Sequence, residues 1–240
     1  MIFRTWINLF NTLDHADIHS LFTGNGGQFC ISAPDLFKKL QNVKAFLFDW
    51  DGVFNDGSRK DKSGSGFSEP DAMGTNLLRF SYWLVHGKMP VTAIITGEEN
   101  EASRVLGKRE HFSSIYYNFP NKISPFAALL DTYQLKAEEV AFFFDDVLDL
   151  ALAEKCGLRI LCHRKSNPLF NDFIVKNKLA DYITSSPGGQ TAVREGAELL
   201  IGLHGNYAEV VTNRMHFSEK YQQYLADKKS IEITLANGHA

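Results

Sequence analysis

The sequence predicts an α/β fold in which a doubly wound parallel sheet carries helices on both faces. Short apolar runs, each long enough for a buried strand, alternate along the chain with segments of helical periodicity. This alternation is typical of a parallel sheet. Most of these apolar runs stop at polar or acidic residues. Because ligands of such sheets bind outside the carboxyl ends of the strands, these polar residues are the first candidates for a functional site.

The strands and helices can be placed in chain order. A short helix is expected after Ser32, because Pro34 suits the first helical turn. Strands are predicted at 45–48, 91–95, 114–117, 140–144, 159–162 and 182–184. Helices are predicted in the intervals, among them 123–134, 148–156 and 191–203.

Three segments make up the predicted organisation of the chain. Residues 1–33 form an N-terminal extension with an amphipathic helix over 6–21, and residues 34–205 form the α/β domain. Residues 206–240 form a C-terminal extension that is helix-prone to about Lys229 and then loses its pattern. The polar, glycine-rich stretch 58–68 is expected to be a mobile loop or weak hairpin.

Length and charge limit the class of protein. With 240 residues and a net charge of −3, the chain can bury one substantial core, and nucleic acid is not an expected partner. No apolar run approaches the length that spans a membrane, and polar residues interrupt the amino-terminal apolar stretch, which argues against a secretory signal. Cys30, Cys156 and Cys162 lack metal-ligand spacing. We therefore expect a cytoplasmic protein with three free thiols.

The most informative segment is KAFLFDWDGVFNDG at 44–57. Asp49 and Asp51 follow an apolar strand and, two residues apart, are expected to point the same way. Adjacent carboxylates at a buried strand end are tolerated where a cation lies between them or where their pKa values are pushed apart. Mg²⁺ suits such a site because it prefers carboxylate and water oxygens. Taken alone, the pair could also be two hydrated acids.

Two further strand ends carry groups that can hold an anion. Thr96 and Gly97 end the second strand, and a hydroxyl and an amide there can donate hydrogen bonds. Thr-Gly also ends many strands for turn reasons. Lys122 lies at the start of a predicted helix, where the helix dipole disfavours a cation unless an anion is near. A solvated surface lysine is the alternative.

A second acidic cluster follows the strand VAFFF. Asp145, Asp146 and Asp149 surround this strand end, and three carboxylates there are costly without a cation. Helix capping would explain Asp149 and one neighbour, but not the whole set. The cluster therefore predicts a metal site.

In this order, the acid pair, the hydroxyl, the lysine and the second acid cluster resemble the haloacid dehalogenase (HAD) superfamily of phosphotransferases, over residues 43–203. The resemblance implies that Asp49 attacks phosphorus and forms an aspartyl phosphate. It implies that Asp51 protonates the leaving oxygen and then activates water. Thr96 and Lys122 would hold the phosphoryl oxygens.

The same resemblance implies Mg²⁺ as the cofactor. Its ligands would come from both acidic clusters, with Asp146 or Asp149 in a supporting role. They are Asp49, Asp51 (through its backbone), Asp145, Asp146 and Asp149.

Two segments are similar to the 3-deoxy-D-manno-octulosonate 8-phosphate phosphatase family: GVFNDG at 52–57 and SSPGGQTAVRE at 185–195. This resemblance implies a homotetramer without a large cap domain, and a small phosphorylated sugar or sugar acid as substrate. The residues that it assigns to substrate binding are Gly97, Asp56, Asp71 and Arg194.

Arg194 matches the arginine of the family's AVRE element. An arginine can bind a substrate carboxylate in a bidentate fork. The alternative is an ion pair on the helix surface with Glu195 or Glu198.

Three positions depart from the family pattern. Glu98 replaces the arginine of the family's usual Thr-Gly-Arg, and Phe144 replaces a glycine before the second acidic cluster. Pro70 replaces the arginine of an Arg-Asp-Gly element. The residues of phosphoryl transfer are retained, so these changes affect the expected substrate more than the expected reaction.

The predicted function is therefore that of a Mg²⁺-dependent phosphomonoesterase. The alternative is a catalytically silent HAD-like binding or assembly module, which Glu98 and Phe144 would favour. Retention of both Asp49 and Asp51 argues against silence, because a silent protein needs no like-charged pair. A response-regulator-like receiver does not fit the Asp-x-Asp pair together with the late acidic cluster.

Overall fold

The computed structural model describes residues 13–58 and 65–239. Its strands are β1 (Gln28–Phe29), β2 (Ala45–Phe48), β3 (Val91–Ile95), β4 (Ser114–Tyr117), β5 (Val140–Phe144), β6 (Leu158–His163), β7 (Tyr182–Pro187) and β8 (Thr234–Asn237). They form one eight-stranded sheet in the order β1-β7-β6-β5-β2-β3-β4-β8. Neighbouring strands are parallel, except that β1 runs antiparallel to β7.

Helices connect the strands and pack on both faces of the sheet. They are α1 (His15–Gly24), α2 (Ala33–Leu40), α3 (Glu69–His86), α4 (Glu101–Arg109), α5 (Ile123–Thr132), α6 (Leu150–Ala153), α7 (Pro168–Lys176), α8 (Ala192–His204), α9 (Tyr207–Met215) and α10 (Glu219–Lys229). Short 3-10 turns at Ala137–Glu139 and Val147–Asp149 precede β5 and α6.

Side-chain alternation along the strands divides the core into two layers. Phe46 and Phe48 of β2 pack on one face with helices that include α2, α3 and α8. Ala45 and Leu47 pack on the other face with α5, α6 and α7. Burial on both faces explains why β2 reads as a continuous apolar run. The predicted doubly wound parallel sheet is confirmed, and no cap domain is inserted among the described residues.

The predicted strands agree closely with the structure. β2, β3, β4 and β5 occupy the predicted residues, whereas β6 and β7 are longer than expected. The edge strands β1 and β8 have no counterpart in the predictions, because segments of only two and four residues become strands only by pairing with an existing sheet edge. These two strands come from the N- and C-terminal segments, and they lie in the same sheet as the central domain.

Helix bounds differ more. The predicted helix at 148–156 is instead a 3-10 turn followed by the short α6. The predicted helix at 6–21 lies partly outside the described residues, and α1 begins at His15 after the capping carboxylate of Asp14. The predicted loop at 58–68 also lies partly outside them. Within the described ranges, no helix has both the length and the apolar character needed to cross a bilayer.

Strand register brings the candidate residues to one edge of the sheet. Phe48 of β2 is level with Ile94 of β3 and with Phe143 of β5. The residues that follow these three strands therefore lie side by side at the carboxyl edge.

We expect His204, at the end of α8, to make the protein sensitive to acid. Its Nδ1 lies 3.0 Å from the Ser81 hydroxyl, and burial, with a smaller effect of His86, lowers the pKa of His204 from 6.5 to about 4. Protonation of His204 therefore opposes folding. The contribution of the neutral side chain to the free energy of unfolding is complete above about pH 6.5 and is lost as the pH falls toward 4. Between about pH 7.5 and about pH 5, wild type should lose about 2 kcal/mol of unfolding free energy through His204, and His204→Gln should not show this loss.

Urea unfolding of both proteins at the two pH values measures this difference, and the other titrating groups cancel in the comparison. His239→Gln, which changes an exposed histidine, is the control. An equal pH dependence of wild type and His204→Gln would show that His204 is not responsible.

Candidate active site

Three buried carboxylates form the centre of the site. Asp49 follows β2, Asp145 follows β5, and Asp149 ends the 3-10 turn behind it. Each offers an oxygen, and these oxygens all lie within 4.8 Å of one another. The three residues are 6%, 4% and 1% exposed. Like charges this close and this buried require cations nearby.

Lys122 links two of these carboxylates. Its ammonium group donates hydrogen bonds to Oδ1 of Asp49 and, at 2.5 Å, to Oδ1 of Asp149. Lys122 is the residue before α5 and is only 5% exposed. The alternative of a solvated surface lysine is therefore excluded.

The pKa values of these groups are strongly perturbed. Burial, together with the Asp149 charge, raises the pKa of Asp49 well above its usual range, although Lys122 opposes the shift. Burial and Asp149 raise the pKa of Asp145 to about 7, against the opposing effect of Arg164. Burial by itself would lower the pKa of Lys122, but the Asp49 and Asp149 charges outweigh it and raise that pKa. The cluster therefore holds more negative charge than its surroundings readily neutralise.

The loop after β2 carries Asp51 close to this cluster. Oδ1 of Asp51 is buried and accepts no hydrogen bond from the described residues. Asn55 fixes the loop, since its amide donates to the Trp50 carbonyl at 3.2 Å and its Oδ1 accepts from the Gly57 amide at 2.8 Å. Gly52 has φ +82°, and a Cβ there would lie 1.9 Å from Oδ2 of Asp145. A side chain at Gly52 would therefore displace the second acidic cluster.

The Pro-Gly-Gly element packs directly against this loop. A Cβ on Gly188 would lie 1.8 Å from the Gly52 carbonyl oxygen, and Gly189 has φ +73°. The Gly189 amide donates to the Val53 carbonyl at 3.2 Å. The element that carries the family resemblance therefore supports the segment that holds Asp51.

Thr96 and Gly97 lie at the end of β3 on the same edge. Thr96 is buried, and its hydroxyl accepts a long 3.5 Å bond from the Glu98 amide. Gly97 is half-buried, and a Cβ there would make only ordinary contacts. The anion-binding roles of both residues stay predictions.

Two of the predicted acidic residues lie outside the carboxylate cluster. Asp146 is not among the clustered carboxylates, and its side chain caps the 3-10 turn by accepting from the Val147 amide at 2.7 Å. Asp56 is exposed, and its carboxylate accepts from the Ser58 amide at 2.8 Å. Their metal-binding and substrate-binding roles stay predictions.

Asp71 and Arg194 join α3 to α8. Oδ1 of the fully buried Asp71 accepts from the Arg194 amide at 2.9 Å, at the start of α8. The Arg194 guanidinium pairs with Glu198 one turn along α8, at 2.7 Å. The structure therefore has the ion pair that was the alternative for Arg194, and in this arrangement Asp71 serves to hold a helix terminus.

Two of the departures can be placed. Phe144 is fully buried and stacks on Phe142 with ring centroids 5.6 Å apart, so its bulk fills the core layer on the α5 side. Pro70 occupies the first turn of α3, after the cap Ser68, where its missing amide donor costs nothing.

Arg164 is a site residue that the sequence analysis missed. It directly follows β6, and its guanidinium contacts Oδ2 of Asp145. A Cβ on Gly52 would lie 2.3 Å from this guanidinium, which places it over the loop that carries Asp51. The available signal was the basic run His163-Arg164-Lys165 at the end of another parallel strand.

The residues present fit a hard divalent cation. Three carboxylates converge, and a fourth, Asp51, has a buried oxygen that accepts no hydrogen bond among the described residues. Carboxylate oxygens are the ligands that Mg²⁺ prefers. Asp49, Asp145 and Asp149 would hold it.

Comparison with known proteins indicates the class of enzyme. No protein-family model matches the chain. The 3-deoxy-D-manno-octulosonate 8-phosphate phosphatase KdsC of Escherichia coli K12 is 28% identical over 181 residues, which cover 74% of this chain and 89% of the relative. A Legionella pneumophila structure named as a HAD superfamily (subfamily III A) hydrolase has a TM-score of 0.62 at 28% identity, covering 76% and 95% of the two chains.

A third similar structure, at 23% identity, supports the fold alone. It is the 3-deoxy-D-manno-octulosonate 8-phosphate phosphatase of Moraxella catarrhalis, solved with magnesium, phosphate and KDO. Its TM-score is 0.61, and the match covers 75% of this chain and 98% of that one.

The fold and these similarities indicate a phosphatase with a HAD-like fold. Among phosphatases of this type it resembles the 3-deoxy-D-manno-octulosonate 8-phosphate phosphatases, so the resemblance predicted from the sequence is confirmed.

Proposed function

We propose that this phosphatase hydrolyses a small phosphorylated sugar or 3-deoxy sugar acid, with Mg²⁺, through an aspartyl-phosphate intermediate. The observation that carries the proposal is the contact of Lys122 with Asp49 and Asp149, beside Asp145. This contact brings together, at one edge of the sheet, the proposed nucleophile, a cation that can hold phosphoryl oxygens and a set of carboxylates that can bind a metal.

In the proposed first step, a carboxylate oxygen of Asp49 attacks phosphorus and the ester P–O bond breaks. Asp51 gives its proton to the leaving oxygen. In the second step, Asp51 takes a proton from water, which attacks phosphorus and releases Asp49 and phosphate. Lys122 and Thr96 stabilise the phosphoryl oxygens.

A bound Mg²⁺ would offset the negative charge of the carboxylates and the phosphoryl group, so that an anion can attack an anion. Lys122 favours the ionised form of Asp49, because its ammonium group opposes the effect of burial on the pKa of Asp49. A divalent cation held by the carboxylates would add to this effect and favour the carboxylate form that attacks phosphorus.

The substrate class rests on the relatives. The E. coli relative, which is 28% identical, is named for 3-deoxy-D-manno-octulosonate 8-phosphate. Glu98 and Pro70 replace cations of the family pattern, so we propose the class of phosphorylated sugars and sugar acids rather than that one compound.

A screen of purified protein against phosphorylated sugars and 3-deoxy sugar acids tests the function. We expect turnover that falls to background after chelation with EDTA and returns with Mg²⁺, because the carboxylate cluster needs a cation. Ca²⁺ is the control for a requirement for Mg²⁺ rather than for any divalent cation, since Ca²⁺ also binds oxygen ligands but with a looser geometry. Magnesium binding without turnover of any ester would favour the silent binding module.

We also propose that the protein is cytoplasmic and homotetrameric. Light scattering on the full chain measures its mass, and a monomer would contradict the tetramer.

A further inference from the structure

Arg164 lies between the metal-ligand cluster and the open side of the site. Its guanidinium contacts Oδ2 of Asp145, and its side chain is 34% exposed, whereas that of Asp145 is 4% exposed. Asp145 is therefore held in place by burial, whereas Arg164 can move toward solvent.

A metal ion and Arg164 need the same carboxylate. Asp145 is one of the three residues whose oxygens converge. A guanidinium in contact with Asp145 would repel a divalent cation bound there, at a separation where charges interact strongly. The two positive charges therefore compete for Asp145.

The surroundings of Arg164 on the side away from Asp145 are open. While Arg164 contacts Asp145, its guanidinium lies over the turn at 52–57, where a Cβ on Gly57 would come within 3.4 Å of the terminal nitrogen that makes this contact. Gly57 presents no side chain, so a planar fork can lie across this turn with its donors toward the site. Arg194, by contrast, is engaged by Glu198.

We propose that Arg164 is a transferable cation of the site: it neutralises Asp145 until a divalent cation binds, and then binds the carboxylate of the substrate. The second part rests on the proposed function, because it requires a sugar-acid substrate. In this arrangement metal binding prepares the site for an anionic substrate. It also supplies a guanidinium in a chain that lacks the family's arginines at Glu98 and Pro70.

The first experiment measures Mn²⁺ affinity of metal-stripped protein by isothermal titration calorimetry. Arg164→Met removes the competitor, so we expect roughly tenfold tighter binding, the range of a charge-assisted hydrogen bond. Arg164→Lys keeps the charge and should stay near wild type. By linkage, saturating Mg²⁺ should raise the Tm of Arg164→Met more than that of wild type.

Lys165→Met is the matched control, because it removes an adjacent, exposed positive charge. It should change the affinity only slightly. Unchanged or weaker Mn²⁺ binding by Arg164→Met, or an equal gain in Lys165→Met, would overturn the competition.

The second experiment measures binding of 3-deoxy-D-manno-octulosonate in saturating Mg²⁺. Wild type should bind this carboxylate, Arg164→Met should bind it about tenfold more weakly, and Arg164→Lys should also lose affinity because it lacks the fork. No binding by wild type, or equal binding by Arg164→Met, would overturn the carboxylate role. Both readouts are binding measurements, so absence of phosphatase turnover would reject the proposed function without affecting them.

Discussion

Asp49→Asn is expected to abolish phosphate ester hydrolysis, with kcat falling by at least about 10⁴-fold. The amide is a far weaker nucleophile than the carboxylate, and its size is nearly the same. Steady-state kinetics with the best ester from the screen measure the loss. Because burial raises the pKa of Asp49, removal of its charge should leave the Tm unchanged or raise it, so the loss would not be a folding defect.

Two further measurements make this test specific to a covalent mechanism. Borohydride added during turnover should reduce an aspartyl phosphate at position 49 to homoserine, which peptide mass spectrometry detects in wild type only. Asp172→Asn changes the charge of an exposed aspartate paired with Lys176 and should retain full activity. Appreciable turnover by Asp49→Asn would contradict the proposed nucleophile.

Lys122→Met is expected to have the second largest effect, on both activity and stability. Two buried carboxylates would lose their shared cation, a change that typically costs about 3–5 kcal/mol, and kcat should fall by about 10²–10³-fold. The stability loss should be smaller at low pH, because protonation of Asp49, whose pKa is already raised, relieves the repulsion. Urea unfolding at about pH 5 and about pH 8 measures the difference.

Lys228→Met provides a matched control for Lys122→Met. Lys228 is also buried and paired, with Glu110 at 2.8 Å, but it lies on α10. It should lose stability without a loss of kcat per folded molecule. If Lys122→Met kept wild-type kinetics, Lys122 would have no place in phosphoryl transfer.

Much of the fold follows from local sequence. β2, β3, β4 and β5 agree with the predicted strands because a short, doubly buried strand must be apolar along its whole length. The alternation of strands and helices then restricts the sheet to a parallel one. β1 and β8 could not be found this way, since segments of two and four residues form a strand only where a sheet edge offers hydrogen bonds.

The candidate site divides in the same way. The sequence predicts Asp49, Lys122, Asp145 and Asp149 as site residues because each follows a parallel strand, and the structure brings them together. Their convergence is predictable because parallel strands end at one edge. The sequence could not show that Asp146 lies outside the cluster. Its side chain instead caps the 3-10 turn.

The sequence by itself determined the class of fold, the edge of the sheet that carries the site and the charged groups gathered there. The periodicity and the ends of the strands are set by neighbouring residues, so they do not depend on how the helices and the sheet pack together. Only the tertiary structure decided that Arg164 faces Asp145 and that the Gly188-Gly189 turn supports the Asp51 loop. These contacts depend on the distances between segments far apart in the chain, and those distances are set by how the helices and the loops pack against the sheet.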